Sequence, residues 1–395
     1  MENTSSIRFD FVVPARTVFG WGRRAEVGTL ARSLGNRAFL VCGSRSLERS
    51  GTFSQIESAL QKAGVSSVRV ATISHEPLTA DVDACVNRLL ECDPGTGDLV
   101  IGLGGGSAID LAKAVAALAT NRHGDGVTDF LEGVGKGLKI ETPPLPVLVL
   151  PTTAGTGSEA TKNSVISSND PPFKKSLRSE LMVPRVVVID PELTVSLPAD
   201  VTAHTGMDAI TQLIESYLSR RAQPIPQALA ESGLRLALRS IEKAVKDGSD
   251  RESREGMAYA AYLSGIALAN SGLGLAHGVA AALGIHCHVP HGLACAAMLP
   301  AALRVNRDVR QKEIARLWYL VTDENTVGEA AAADRFIARI DNVTRRIGIP
   351  SRLSQIGVAR EQIPALVKGS RGNSLDGNPR DVSDEELGGL LERMM

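Results

Sequence analysis

The chain has 395 residues, too many for one hydrophobic core and enough for two domains of ordinary size. Hydrophobic residues make up 43% and charged residues 22%, with a formal net charge of −1, so neither a disordered chain nor a binder of nucleic acid or acidic membrane working through bulk charge is expected. Five cysteines (Cys42, Cys85, Cys92, Cys287, Cys295) form no CxxC pair and read as reduced thiols, and the N-terminus lacks the pattern of a signal peptide. A soluble cytoplasmic protein with no membrane or nucleic-acid partner is the expectation.

In chain order, AFLVCG (38–43) reads as a strand ending in glycine, followed by the helix-like SQIESALQKAG. SVRVATI (67–73) is a second strand, VDACVNRLLEC (82–92) has apolar residues at helical spacing, and DLVIGLGGG (98–106) runs from strand into a glycine loop. LPVLVLPTTAGTGSE (145–159) repeats that pattern, and RVVVIDPEL (185–193) is one more strand. Strands alternating with helices predict a doubly wound parallel sheet. From about residue 198 the texture turns helical, in DAITQLIESYL, QALAESGLRLALRSIEKAV, GMAYAAYLSGIALAN and EIARLWYLV. An α/β dinucleotide-binding domain over 1–190 and an α-helical domain over 191–395 are therefore expected, with Pro191 and Pro198 marking the join. The tail SDEELGGLLERMM reads as a short helix capped by Ser383.

Three constellations carry chemistry. Gly104, Gly105, Gly106 and Ser107, with Asp110 on the following helix, offer backbone N–H groups and a helix N-terminus to a pyrophosphate, or form a plain tight turn. Glycines and hydroxyls interleave in the run from Pro151 to Thr161, which includes Thr152, Thr153, Thr156 and Ser158. This composition suits hydrogen bonds to phosphate, ribose or carboxamide, or to the loop's own backbone. Asp208 and Gln212 lie four apart on one helix face, and His277 and His291 follow in GLGLAHG and VPHG. One carboxylate and two imidazoles suit Zn²⁺ or Fe²⁺, although each histidine taken singly reads as a structural residue.

In order and spacing, FGWG, GGGSAID, PTTAGTGSEAT, DPELTVSLP, TGMDAITQLIE, GLGLAHG, VPHG and the late NPR (378–380) resemble the iron-containing (group III) alcohol dehydrogenase family over essentially the whole chain. The resemblance implies the dehydroquinate-synthase-like fold, with a nicotinamide cofactor in the cleft between an α/β and an all-α domain. It implies that Gly104 to Ser107 touch the pyrophosphate and that Thr152, Thr153 and Ser158 lie along the nucleotide. It further implies metal ligands at Asp208, His277 and His291, which make up the catalytic set, and at the position of Gln212. The activity implied is hydride transfer between NAD or NADP and a small alcohol or aldehyde, by a homodimer or higher homo-oligomer.

Two departures from the family stand out. Its metal is held by Asp, His, His and His, and here Gln212 takes the second of these places. A further histidine common four residues after the third ligand is Ala281 here. Gln212 therefore ligates directly, leaves a three-ligand site, or marks a site without metal, as in relatives that reduce maleylacetate. In that last reading Lys162, Lys175 or Arg178 would recognise a carboxylate, and His286 or His288 is a candidate proton relay. His204 reads as structural, and His75 and His123 show no cluster partner. At Gly43, where NAD-preferring relatives often have Asp, the run Cys42-Gly43-Ser44-Arg45 leans towards NADP. The strand-like RFDFVV (8–13) is a candidate for pairing with a neighbouring copy.

Overall fold

The computed structural model describes residues 8–44 and 46–395. Its main sheet has six strands: β1 (Arg16–Phe19), β2 (Arg37–Cys42), β3 (Ser66–Thr72), β4 (Asp98–Gly104), β5 (Val147–Pro151) and β8 (Val186–Ile189). They run in the order β1-β8-β5-β4-β2-β3, every pairing parallel. β4, β5 and β8 are buried along their whole length because helices cover both sheet faces, which is why these strands read as unbroken apolar runs. The covering helices are α1 (Val27–Arg32), α2 (Ser46–Arg49), α3 (Thr52–Lys62), α4 (Thr79–Leu90) and α5 (Gly106–Leu118). From β2 the chain moves outward to β3, then returns to the other side of β2 as β4. The carboxyl ends of β2 and β4 therefore flank the point where strand order reverses, the usual mouth for a dinucleotide in such sheets.

Two pieces of β-structure depart from the expected pattern. β1, a four-residue strand, is held at the sheet edge by pairing with β8, some 170 residues away (Arg16 opposite Val186). β6 (Asn163–Asn169) and β7 (Pro172–Arg178) form an antiparallel hairpin turning through a cis Asp170–Pro171 bond. RFDFVV forms no strand: Val12 instead exchanges both backbone bonds with the Asn270 side chain, at 2.6 and 2.8 Å. The FGWG turn closes on DPEL, since Asp190 accepts from Gly22 N (2.9 Å) and Arg24 N (3.1 Å).

After Ile189 the described chain is helical: α6 (Ala199–Leu218), α7 (Pro224–Lys246), α8 (Arg251–Asn270), α9 (Leu275–Cys287), α10 (His291–Asn306), α11 (Gln311–Thr322), α12 (Glu329–Arg346), α13 (Ile363–Gly369), α14 (Asn373–Asp376) and α15 (Asp384–Arg393). Pro191 sits in a short 3₁₀ turn and Pro198 caps α6, so both interrupt the chain where expected. Ser383 caps α15, accepting from Glu386 N at 3.1 Å. α6 is buried along most of its length against α7, α8 and α10. The architecture is thus a parallel-sheet N-terminal domain followed by an all-helical one. They meet at Gly157, whose φ is +62° and whose Cβ, if it had one, would lie 2.4 Å from Gly265 Cα on α8. Two facing glycines let the loop after β5 rest backbone-to-backbone on the helical domain. Among the described residues no single helix is long and apolar enough to cross a membrane.

Candidate metal and dinucleotide site

The two glycine-bearing loops expected to take a cofactor lie side by side at the carboxyl edge of the sheet. Gly104 adopts φ +155°, and an added Cβ would meet Gly43 Cα at 2.9 Å and Ala108 Cβ at 2.8 Å. The ends of β2 and β4 thus touch through backbone alone, and a side chain at Gly43 would itself meet Gly104 Cα at 3.1 Å. Gly105, without a side-chain cap, precedes α5, whose first turn contains Gly106 and Ser107 and whose N–H groups open towards the mouth. Thr152 N donates to Gly104 O at 2.9 Å, while Thr153 and Thr156 stand beside Gly105 and Gly106. Arg45 lies outside the described residues.

Asp110 and Ser158 serve the scaffold beneath this loop. Asp110 accepts from Val165 N at 2.9 Å and lies 3.1 Å from the fully buried Lys113 Nζ. Lys113 in turn donates to the carbonyls of Ser158 (2.8 Å) and Asn163 and to Thr161 Oγ1 (2.9 Å). One buried ammonium therefore ties α5, the loop after β5 and the hairpin together. Burial holds the Lys113 ammonium below its ordinary pKa, although Asp110 pulls the other way. Next to it, burial pushes Glu159 up to about 7.

Asp208, His277 and His291 converge, and Cys295 joins them. One ligand atom from each lies within 4.8 Å of every other. His277 Nε2 is 3.3 Å and His291 Nε2 is 3.8 Å from Asp208 Oδ1, and Cys295 Sγ is 3.7 Å from His291 Nε2. α6 supplies Asp208, the first turn of α9 supplies His277, and α10 begins at His291 and presents Cys295 one turn later.

Glu215, two helical turns after Asp208, orients His277. Its Oε2 lies 2.7 Å from His277 Nδ1 and, being a carboxylate, can only accept. Nδ1 therefore carries a proton, and Nε2 is the ring nitrogen that faces Asp208. The same carboxylate accepts from Gly274 N (3.0 Å), Ala276 N (2.7 Å) and His277 N (3.3 Å), capping α9. Asn378 of the NPR run steadies that end as well, accepting from Leu275 N at 3.2 Å.

The electrostatics suit a cation. Burial alone would raise Asp208, but His291 and His277 hold its carboxyl below the usual range. Burial pushes His291 down to about 4, helped by Lys174 and His277 against Asp208, so its imidazole is neutral. Burial opposes protonation of His277, yet the Cys295 thiol, Asp208 and Glu215 hold it well above its ordinary value. A carboxylate, two imidazoles and a thiol, all donors, converging in a buried space fit a divalent ion.

Gln212 faces the cofactor loop. Its Nε2 donates to Thr156 O at 3.3 Å, and its Oε1 accepts from Ser264 Oγ on α8 at 2.6 Å. Thr156's carbonyl can only accept, which fixes the amide's orientation. The helix that carries Asp208 and the loop after β5 are thus joined by one side chain.

The sequence matches the family model "Iron-containing alcohol dehydrogenase" over residues 14–191, and "Fe-containing alcohol dehydrogenase family, C-terminal" over 202–395. The chain belongs to the iron-containing alcohol dehydrogenase family. It is 32% identical to the NAD-dependent methanol dehydrogenase of Bacillus methanolicus over 391 residues, covering 98% of this chain and all of that one. It is 34% identical to long-chain-alcohol dehydrogenase 1 of Geobacillus thermodenitrificans, covering 90% and 89% of the two chains. Among solved structures, a 1,3-propanediol oxidoreductase superposes with a TM-score of 0.90 at 30% identity, covering 98% of this chain and 100% of that one. As a family member the protein is an oxidoreductase of the alcohol dehydrogenase class.

Several residues singled out in the sequence stand outside the cluster. His286 packs against Gly369, and its carbonyl accepts from Gln362 at 2.9 Å; His288 ends α9 in the left-handed conformation. His204 is half-buried, its carbonyl against Gly292; His75 pairs with Asp81 at 2.9 Å, and His123 packs edge-on to Phe130. Ala281 adds no polar group. Lys162 is paired with Glu180 and Arg178 with Glu132, while Lys175 sits opposite Ile166 in the hairpin. Glu215 and Cys295 are the site residues that sequence reasoning missed. Their signals were spacings: seven after Asp208 and four after His291, each on the same helix face as its neighbour.

Proposed function

We propose that the protein interconverts a small primary alcohol and its aldehyde, with NAD or NADP across the glycine loops and a divalent ion at Asp208, His277 and His291. The observation that supports this reading is the bridge of Gln212 from the helix of Asp208 to the loop at Thr156, which would bring hydride carrier and cation near one another. The nicotinamide supplies hydride acceptance and donation, and the ion supplies Lewis acidity that favours deprotonation of an alcohol and stabilises charge on a carbonyl oxygen.

The chain's own residues supply position and charge. Asp208 offsets part of the ion's charge, Glu215 fixes the ring of His277, and His291 offers a neutral imidazole at the mouth. N–H groups at the start of α5 hold the pyrophosphate. Gly43 presents no carboxylate to repel a 2′-phosphate, so both dinucleotides are candidates. Among relatives, the printed names range from methanol to long-chain alcohols, which supports the alcohol class rather than one member of it. Of the three cations considered for an oxo-acid carboxylate, Lys162 and Arg178 are already paired with glutamates. All five cysteines are free, in keeping with a cytoplasmic site of action, and we propose a homodimer or larger assembly.

The test is elemental analysis joined to NAD(P)⁺-dependent oxidation of short primary alcohols, before and after chelation. One metal per chain, with metal and activity both lost in Asp208→Ala, is the expected result. Full turnover by metal-free protein would overturn it.

A further inference from the structure

Three observations converge on Cys295. The Gln212 amide, at the place where the family carries a third imidazole, is engaged by Ser264 and by the carbonyl of Thr156. Cys295 is fully buried and stands one helical turn after His291, on the same face of α10. The four ligand atoms lie within 4.8 Å of one another, and three of the separations come close to the edges of a coordination tetrahedron. Bonds of about 2.0 Å to N or O and about 2.3 Å to S, set tetrahedrally, give edges of about 3.3–3.6 Å. The observed Asp208–His277, His291–Cys295 and Asp208–His291 separations are 3.3, 3.7 and 3.8 Å.

We infer that Cys295 supplies a thiolate as the fourth ligand of the divalent ion, with Asp208, His277 and His291, and that this donor set favours Zn²⁺ over Fe²⁺. The inference rests on the metal-dependent reading above. On binding, the S–H bond breaks, its proton leaves to solvent, and the sulfur lone pair forms the bond to the metal; no oxidation is involved. A thiolate is a softer donor than the imidazole it replaces, and Zn²⁺ also stands above Fe²⁺ in the general affinity order. Such a donor set would still leave a zinc ion able to accept a further oxygen ligand.

The probe is Co²⁺ added to chelator-treated full-length protein, followed by absorbance in the near ultraviolet, with Zn²⁺ competition giving affinities. Wild type should take up one Co²⁺ with an intense thiolate-to-metal charge-transfer band. Cys295→Ser should lack that band and bind Zn²⁺ at least about tenfold more weakly, a loss of about 1.4 kcal/mol. X-ray absorption of Zn²⁺-loaded wild type, which needs no variant, should show one sulfur at about 2.3 Å. Stoichiometric Co²⁺ without the band, or a zinc shell of only N and O, would refute the thiolate while leaving metal dependence intact. Folded wild type that binds neither ion would refute metal dependence itself, and the thiolate with it.

Discussion

Glu215→Gln is a sharp test of the site because it changes charge and donor pattern without changing shape. The carboxylate accepts four bonds, from Gly274 N, Ala276 N, His277 N and His277 Nδ1. A glutamine has one carbonyl oxygen, so in either orientation its NH₂ faces at least one of these donors. Losing one bond to a charged acceptor costs about 1.5–3 kcal/mol, and losing the negative charge at the N-terminus of α9 adds about 0.3–1 kcal/mol. The sum, about 2–4 kcal/mol, corresponds to a fall of roughly 4–16 °C in the melting of a helical domain of this size. Metal affinity should fall about 10–100-fold, because a neutral amide is a weaker acceptor for the Nδ1 proton than the carboxylate and leaves the His277 ring a poorer donor. Calorimetry of metal-free protein reads the first effect, and Zn²⁺ titration against a chromophoric chelator reads the second. Unchanged melting together with unchanged Zn²⁺ affinity would refute the role given to Glu215.

Two further outcomes follow from the dinucleotide half. Burial raises Glu159 from 4.5 to about 7, so between those values the folded carboxyl binds a proton that the unfolded one has released. Stability should therefore fall as pH rises through that window, by roughly 3 kcal/mol in all. In Glu159→Gln that slope should vanish, leaving the variant the more stable protein at about pH 8 and matched to wild type near pH 4 when melting is followed across pH. In Gly106→Ala the new Cβ would lie 2.6 Å from Thr156 Oγ1 and 2.7 Å from its Cγ2, forcing that side chain aside. Dinucleotide binding, measured by calorimetry or NAD(P)H fluorescence, should weaken about tenfold with metal content unchanged; equal weakening of both would mean that the fold, not the loop, had been disturbed.

What could be read from the sequence follows from where information is stored in it. β2, β4, β5 and β8 are legible because burial on two faces demands consecutive apolar residues. β1 and the β6–β7 hairpin are not. RTVF is too short to show a period and is held by a distant partner, and NSVISSN with PFKKSLR is half-exposed and polar. Asp208, His277 and His291 are separated by 69 and 14 residues in the chain, so only the resemblance brought them together. Asp110 was expected at the cofactor, but its carboxylate faces inward to Val165 and Lys113, a partnership between elements that no local pattern encodes.

Gln212 shows how far helical periodicity can be pressed. Positions 208, 212 and 215 share one face of α6, and the sequence suggested a common task for the first two. In the folded chain the three carry different tasks: Asp208 faces the cation cluster, Gln212 reaches Thr156 of the dinucleotide loop, and Glu215 grips the start of α9. Spacing fixes which side chains share a face, but the partner that each meets depends on what packs against that turn. The loop after β5 packs near the middle turn because Gly157 and Gly265 let two backbones touch there. The substitution that looks like a lost ligand thus gives the helix a grip on the dinucleotide loop. Cys295, offered by α10 one turn after His291, stands where the missing donor is needed.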